Sequence, residues 1–77
     1  MATGFVLVRT APAMEHSVNE ELKKVKSVEE FYPLFGEYDF IVKLVASDFD
    51  QLGQIIIGRI RTIDGVVDTW TLTGVDL

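Results

Sequence analysis

The chain has no cysteine, which excludes disulfide staples and every thiolate metal site. Histidine is nearly absent too: His16 is the only one, on the polar side of a helical stretch, and no cluster of His with Asp or Glu has metal-ligand spacing. No serine has an obvious activating partner. Basic residues are scarce, with 7 Lys plus Arg against 12 Asp plus Glu and a formal charge of −5. A duplex-binding surface draws its affinity from phosphate neutralisation, so this chain alone is a poor direct binder of nucleic acid. Its one basic run, Lys23, Lys24 and Lys26, reads as the solvated edge of a helix. No apolar run approaches the roughly 18–20 residues of a membrane span. The N-terminal "MATGFVLVRT" lacks the basic region of a signal peptide. A cysteine-free chain of this kind fits the cytoplasm.

The 77 residues make one domain at most. A core of this size rarely nets more than roughly 3–5 kcal/mol, and with disulfides excluded the remaining inexpensive staple is self-association.

The order of elements is legible from patterning. "TGFVLVRT" (residues 3–10) is a strand, ended by Pro12, which is pre-set for a helix's first turn. Met14, Val18, Leu22 and Val25 form the stripe of an amphipathic helix. "SVEEFYPLF" is a second strand, and Pro33 inside it predicts an edge position. "FIVKLVA" is the third strand. Ser47 or Asp48 then caps a second helix, whose stripe is Phe49, Leu52, Ile56, Ile60 and Ile63. Gly53 lies beside that stripe, where a missing side chain would let the helix approach a sheet closely. Asp64-Gly65 stops the helix, and "VVDTWTLTGV" is the fourth strand. The result is an α+β, ferredoxin-like βαββαβ sandwich: a four-stranded antiparallel sheet, strands one and three central, both helices on one face.

That arrangement leaves an apolar face without cover. Phe5 and Leu7 oppose Val6 and Val8 across the first strand; in the third, Ile41 and Val45 (with Lys43 between them) oppose Phe40, Val42 and Leu44. A sheet covered on one side should alternate apolar with polar. Burying roughly 600–800 Å² of such surface per subunit is worth about 15–20 kcal/mol gross, before the cost of association. The second face therefore predicts sheet-to-sheet dimerisation.

Nothing in the sequence assembles a catalytic group. Glu29 and Glu30 are neighbours on a strand and should point to opposite faces, so they are no carboxylate pair; the expectation is a protein that is not an enzyme and needs no cofactor. The segment Gly36-Glu37-Tyr38-Asp39 has two readings. It is an acceptable hairpin turn. It also offers an open glycine backbone and the Asp39 carboxylate, while Thr69, Thr71 and Thr73 set hydroxyls on one face of the last strand. Hydroxyls and backbone N–H groups suit a carboxylate and Asp39 suits an ammonium, the two ends of an α-amino acid. The residues alone leave both readings open.

The segments "FVLVRTAP", "FGEYDFIVKLVASDFDQLGQ" and "IRTIDGVVDTWTLT" resemble the effector-binding (RAM) domain of the leucine-responsive/asparagine-regulator (Lrp/AsnC) family. The most specific pieces are G-[ED]-Y-D before an apolar strand, and I-R-x-I-x-G-V before a T-x-T strand. The resemblance covers essentially residues 1–77 and implies a stand-alone module without a DNA-binding helix-turn-helix domain. It implies dimers that pair through their sheets and assemble into octamer-like rings, with a free amino acid bound where dimers meet. Gly36, Glu37, Tyr38 and Asp39 would then supply the turn and the ammonium-binding carboxylate, and Thr69 and Thr71 hydroxyls. A module of this kind would regulate transcription or amino-acid metabolism by joining full-length family regulators or another partner. The alternative is an assembly protein that binds no ligand.

Overall fold

The computed structural model describes residues 1–75. Its elements run β1 (Ala2–Thr10), α1 (Glu15–Leu22), β2 (Val28–Pro33), β3 (Phe40–Ala46), α2 (Phe49–Ile55), a π-helical continuation of α2 (Ile56–Ile60), and β4 (Val66–Thr73). The strands form one antiparallel sheet in the order β2-β3-β1-β4, the ferredoxin-like arrangement that the patterning predicts. Pro33 is on the edge strand β2, where its missing donor costs no ladder bond.

The side chains divide as strand alternation requires. Val6, Val8, Phe40, Val42 and Leu44 are buried beneath the helices, against Val18 and Leu22 of α1 and Leu52, Ile56 and Ile60 of the second helix. Asp48 caps α2, its carboxylate accepting from the Gln51 N–H at 2.8 Å. Among the described residues no helix is long and apolar enough to cross a membrane.

The opposite face is open. Trp70 and Leu72 pair across the ladder with Leu7 and Phe5, and Tyr32 pairs with Ile41. Trp70, Leu72 and Tyr32 remain 59%, 50% and 55% exposed. Together with the half-buried Phe5, Leu7, Ile41 and Val45 they form an apolar surface that neither helix reaches.

Several local expectations give way. Pro12 lies in a turn closed by the Met14 N–H on the Ala11 carbonyl at 3.1 Å, and α1 begins only at Glu15. Gly53 does not permit a close approach, since a Cβ there would meet nothing within 4 Å. The close approach is at Gly4 of β1, where a Cβ would lie 2.9 Å from Cδ2 of the buried Leu52. Phe49, expected in the buried stripe, is exposed at the first helical position after the cap. Glu29 and Glu30 do not sit on opposite faces in the simple sense, because the β2–β3 register shifts between Val28 and Glu30. The irregularity lets Glu29 meet Lys43 at 2.9 Å while Glu30 pairs with Lys43 along the ladder.

Candidate functional site

The GEYD turn is held by its own residues and by β1. The Leu34 N–H donates to the Asp39 carbonyl at 2.8 Å, leaving Phe35–Tyr38 as the tip of the β2–β3 connection. Gly36 takes φ +121°, a left-handed conformation that disfavours any side chain, although the space around it is empty. The Asp39 N–H donates to the Val8 carbonyl at 2.8 Å. The β1–β3 ladder ends at Val8 and Phe40, so Thr10, two residues further, has no strand partner on that side. Its N–H donates instead to Oδ2 of Asp39 at 2.7 Å. Asp39 is thus a structural acceptor with one oxygen, and its second oxygen receives no hydrogen bond from the described residues. The Thr10 hydroxyl beside it is buried, at 8% exposure for the residue, and likewise lacks a partner among them.

Arg9 completes the turn and was not singled out in the sequence. Its Nε donates to the Glu37 carbonyl at 3.1 Å, its Nη2 to Oε1 of Glu37 at 3.4 Å, and its guanidinium lies 5.1 Å from the centre of the Tyr38 ring. The only signal was a lone cation closing an apolar strand.

Thr69 and Thr71 lie elsewhere. They pair with Val8 and Val6, which puts them on the helix side of the sheet, but at the β4 edge, where the helices no longer cover them. Between that edge and the second helix runs a cleft of about 500 Å³. Ile56, Ile57 and Arg61 form its helical wall, and Asp68, Thr69 and Thr71 its strand wall. Neither Arg61 nor Asp68 has an ion-pair partner among the described residues. A guanidinium, two hydroxyls and exposed isoleucine therefore border one small space, while Asp68, which pairs with Arg9 across the ladder, belongs to the open face of the sheet.

Gly36, Glu37, Tyr38 and Asp39 are not brought to this cleft within one chain. Asp39 is separated from β4 by β1, about 10 Å at two strand spacings. Arg9, Glu37 and Tyr38 also gather toward the open side of the sheet, whereas the cleft is on the helix side. The sequence reading missed Arg61 because it flanks the threonines only once the helix end returns beside β4.

A sequence model of the Lrp/AsnC ligand binding domain matches residues 3–73. An uncharacterised helix-turn-helix-type transcriptional regulator of Pyrococcus abyssi is 34% identical over 77 residues, covering 96% of this chain and 51% of its own. The chain spans about half the length of the curated regulators that it matches first. The crystal structure of FFRP-DM1 superposes with a TM-score of 0.93 at 36% identity, covering 97% of this chain and 100% of that one. A homocitrate synthase of Saccharolobus islandicus is 40% identical over 55 residues, 71% of this chain but 12% of the enzyme. The chain belongs to the Lrp/AsnC family, and residues 3–73 are its ligand-binding domain.

Proposed function

We propose that this chain is an oligomeric effector module that binds a free α-amino acid and passes the signal to transcription or amino-acid metabolism. The observation that carries the reading is the β4-edge cleft. Arg61 and the hydroxyls of Thr69 and Thr71 suit a carboxylate, and Ile56 and Ile57 suit an apolar side chain. The cleft is open on one side, and the GEYD turn of a second copy is the natural wall to complete it. In that arrangement Asp39 offers its uncommitted oxygen to the ammonium, and Gly36, Glu37 and Tyr38 shape the approach. The open sheet face pairs two copies, and the edges link pairs into a ring. Through the same contacts the module would join full-length family regulators.

The test is a thermal-shift screen of the twenty amino acids with light scattering. A ligand at about 100 times its dissociation constant stabilises by roughly 2.7 kcal/mol, a rise of about 10–20 °C in a domain of this size. A screen in which none moves the midpoint or the particle size sinks the reading.

The homocitrate synthase match favours a second reading, in which the module serves a biosynthetic enzyme. Here the amino acid is sensed, or the fold only assembles, and the listener is an enzyme. A defined enzyme recovered in a pull-down, with no family regulator, would select it.

A further inference from the structure

A glycine inside a helix needs a reason, since only proline is less favourable there. The second helix holds Gly53 and Gly58, and a Cβ on either would meet nothing within 4 Å. Neither has a positive φ. Close packing and backbone conformation therefore account for neither. Of the two, only Gly53 borders the β4-edge cleft.

Gly53, Ile57 and Arg61 follow one another at intervals of four, so they share one face of the helix. Along the cleft that wall runs from bare backbone through an exposed aliphatic to a guanidinium, over about 12 Å at roughly 1.5 Å per residue. Ile57 is 61% exposed, as is Val67 on the facing strand, so apolar surface lines the space between the two ends. The same wall contains the π turn, closed by the Arg61 N–H on the Ile56 carbonyl at 2.9 Å. Turns of this kind are rare and gather at functional sites. Two departures from regular helix thus coincide on the wall of one cavity. A side chain at position 53 would take up cleft volume instead of touching protein.

We propose that Gly53 sets the size of side chain the cleft admits, and that the effector is an α-amino acid with a bulky apolar side chain, whether branched aliphatic, thioether or aromatic. The proposal rests on the reading of the cleft as an amino-acid site. With the carboxylate held at Arg61, the effector's side chain runs past Ile57 toward Gly53. Among the lining residues none on that path neutralises a charged side chain, because Asp68 belongs to the open face of the sheet. The helix carries a glycine there because the ligand uses the space that a side chain would fill.

The experiment is calorimetric titration of wild type, Gly53→Ala and Gly53→Leu with L-alanine, L-valine, L-leucine, L-methionine and L-phenylalanine, and with L-lysine and L-glutamate as charged comparisons. Circular dichroism follows folding. Without ligand the midpoints of both variants should equal or exceed that of wild type, since the position is helical and unobstructed. Wild type should favour the large apolar amino acids. Gly53→Leu should lose roughly 10-fold or more in affinity for leucine and phenylalanine relative to alanine, and Gly53→Ala a smaller factor in the same direction. A glycine that matters only to the helix would change the midpoint and leave that ratio untouched, which overturns the proposal. So does a Gly53→Leu protein that loses every amino acid equally. Should Gly53→Leu fail to fold, the ratio in Gly53→Ala decides. Failure of the effector reading looks different. Wild type that prefers alanine or a charged amino acid overturns the size role and leaves the effector standing, whereas wild type that binds none of the twenty removes both.

Discussion

Asp39 has one structural role and one proposed binding role, and a pair of substitutions separates them. Its Oδ2 accepts the Thr10 N–H at 2.7 Å, in a partly buried position where the β1–β3 ladder has ended. Asp39→Ala leaves that donor unpaired. Hydrogen bonds to a charged group contribute roughly 1.5–3 kcal/mol, and an unsatisfied buried donor costs about 1–3 kcal/mol. With about 4–8 °C per kcal/mol for a domain of this length, a loss of roughly 2 kcal/mol lowers the midpoint by about 8–16 °C. Asp39→Asn keeps an oxygen acceptor of nearly the same shape and removes only the charge, so its midpoint should fall by less than half as much. The binding role depends on the charge rather than on the acceptor. Both variants should therefore lose the shift produced by the best amino acid, while only the alanine variant is markedly unstable. Thermal unfolding followed by circular dichroism, with and without ligand, reads both effects. An alanine variant within about 2 °C of wild type would show that the Thr10 bond contributes nothing. An asparagine variant with a full ligand shift would refute the ammonium role and return Asp39 to being a turn residue.

Gly4→Ala should destabilise by about 1–3 kcal/mol, because its Cβ would lie 2.9 Å from Cδ2 of a buried Leu52, and Leu52→Val in the same chain should recover part of the loss. Gly53→Ala should do the opposite and stabilise by roughly 0.5–1 kcal/mol, since the position is helical and a methyl there meets nothing within 4 Å; urea titration of the set checks both signs. Lys43 is held protonated above its ordinary value of 10.5, first by the hydrogen bond to the Glu29 carboxylate and then by that charge. A raised folded pKa means that its contribution is complete at neutral pH and drains away only as pH rises past 10.5 through the folded value. Lys43→Met should accordingly leave the midpoint-against-pH curve unchanged in slope near pH 7 and flatten its alkaline arm, and an alkaline arm identical to wild type would contradict the pairing.

The fold was legible because its determinants are local. Alternation in "FVLV" and "FIVKLV", a proline in the second strand and a capped apolar stripe each bear on one element, and their order admits few packings. Errors arose wherever two distant segments had to be placed against each other. Glycine at position 53 signals a possible approach but not its direction, and the approach came from Gly4 on the other surface. The register shift at Val28 and Glu30 belongs to a pair of strands, so the alternation rule applied to one strand misplaced Glu29. In the candidate site, the turn glycine and the threonine row could be read from residue type. The clamp of Arg9 on Glu37 crosses 28 positions and has no local signature. Arg61 joins the threonines only after a helix and a strand are laid side by side.

Separation of the two halves of the site has a thermodynamic consequence. On the proposed reading, a pocket whose cation, hydroxyls and apolar wall lie at the β4 edge, and whose closing turn lies beyond β1, is incomplete at the level of one chain. Whatever favours the edge-to-edge contact then raises affinity for the amino acid, and by reciprocity the amino acid must favour assembly by the same factor. Rigidity at the turn serves this coupling. Arg9, Thr10 and the Leu34–Asp39 closure fix the tip before any partner arrives, so little ordering cost remains when it docks.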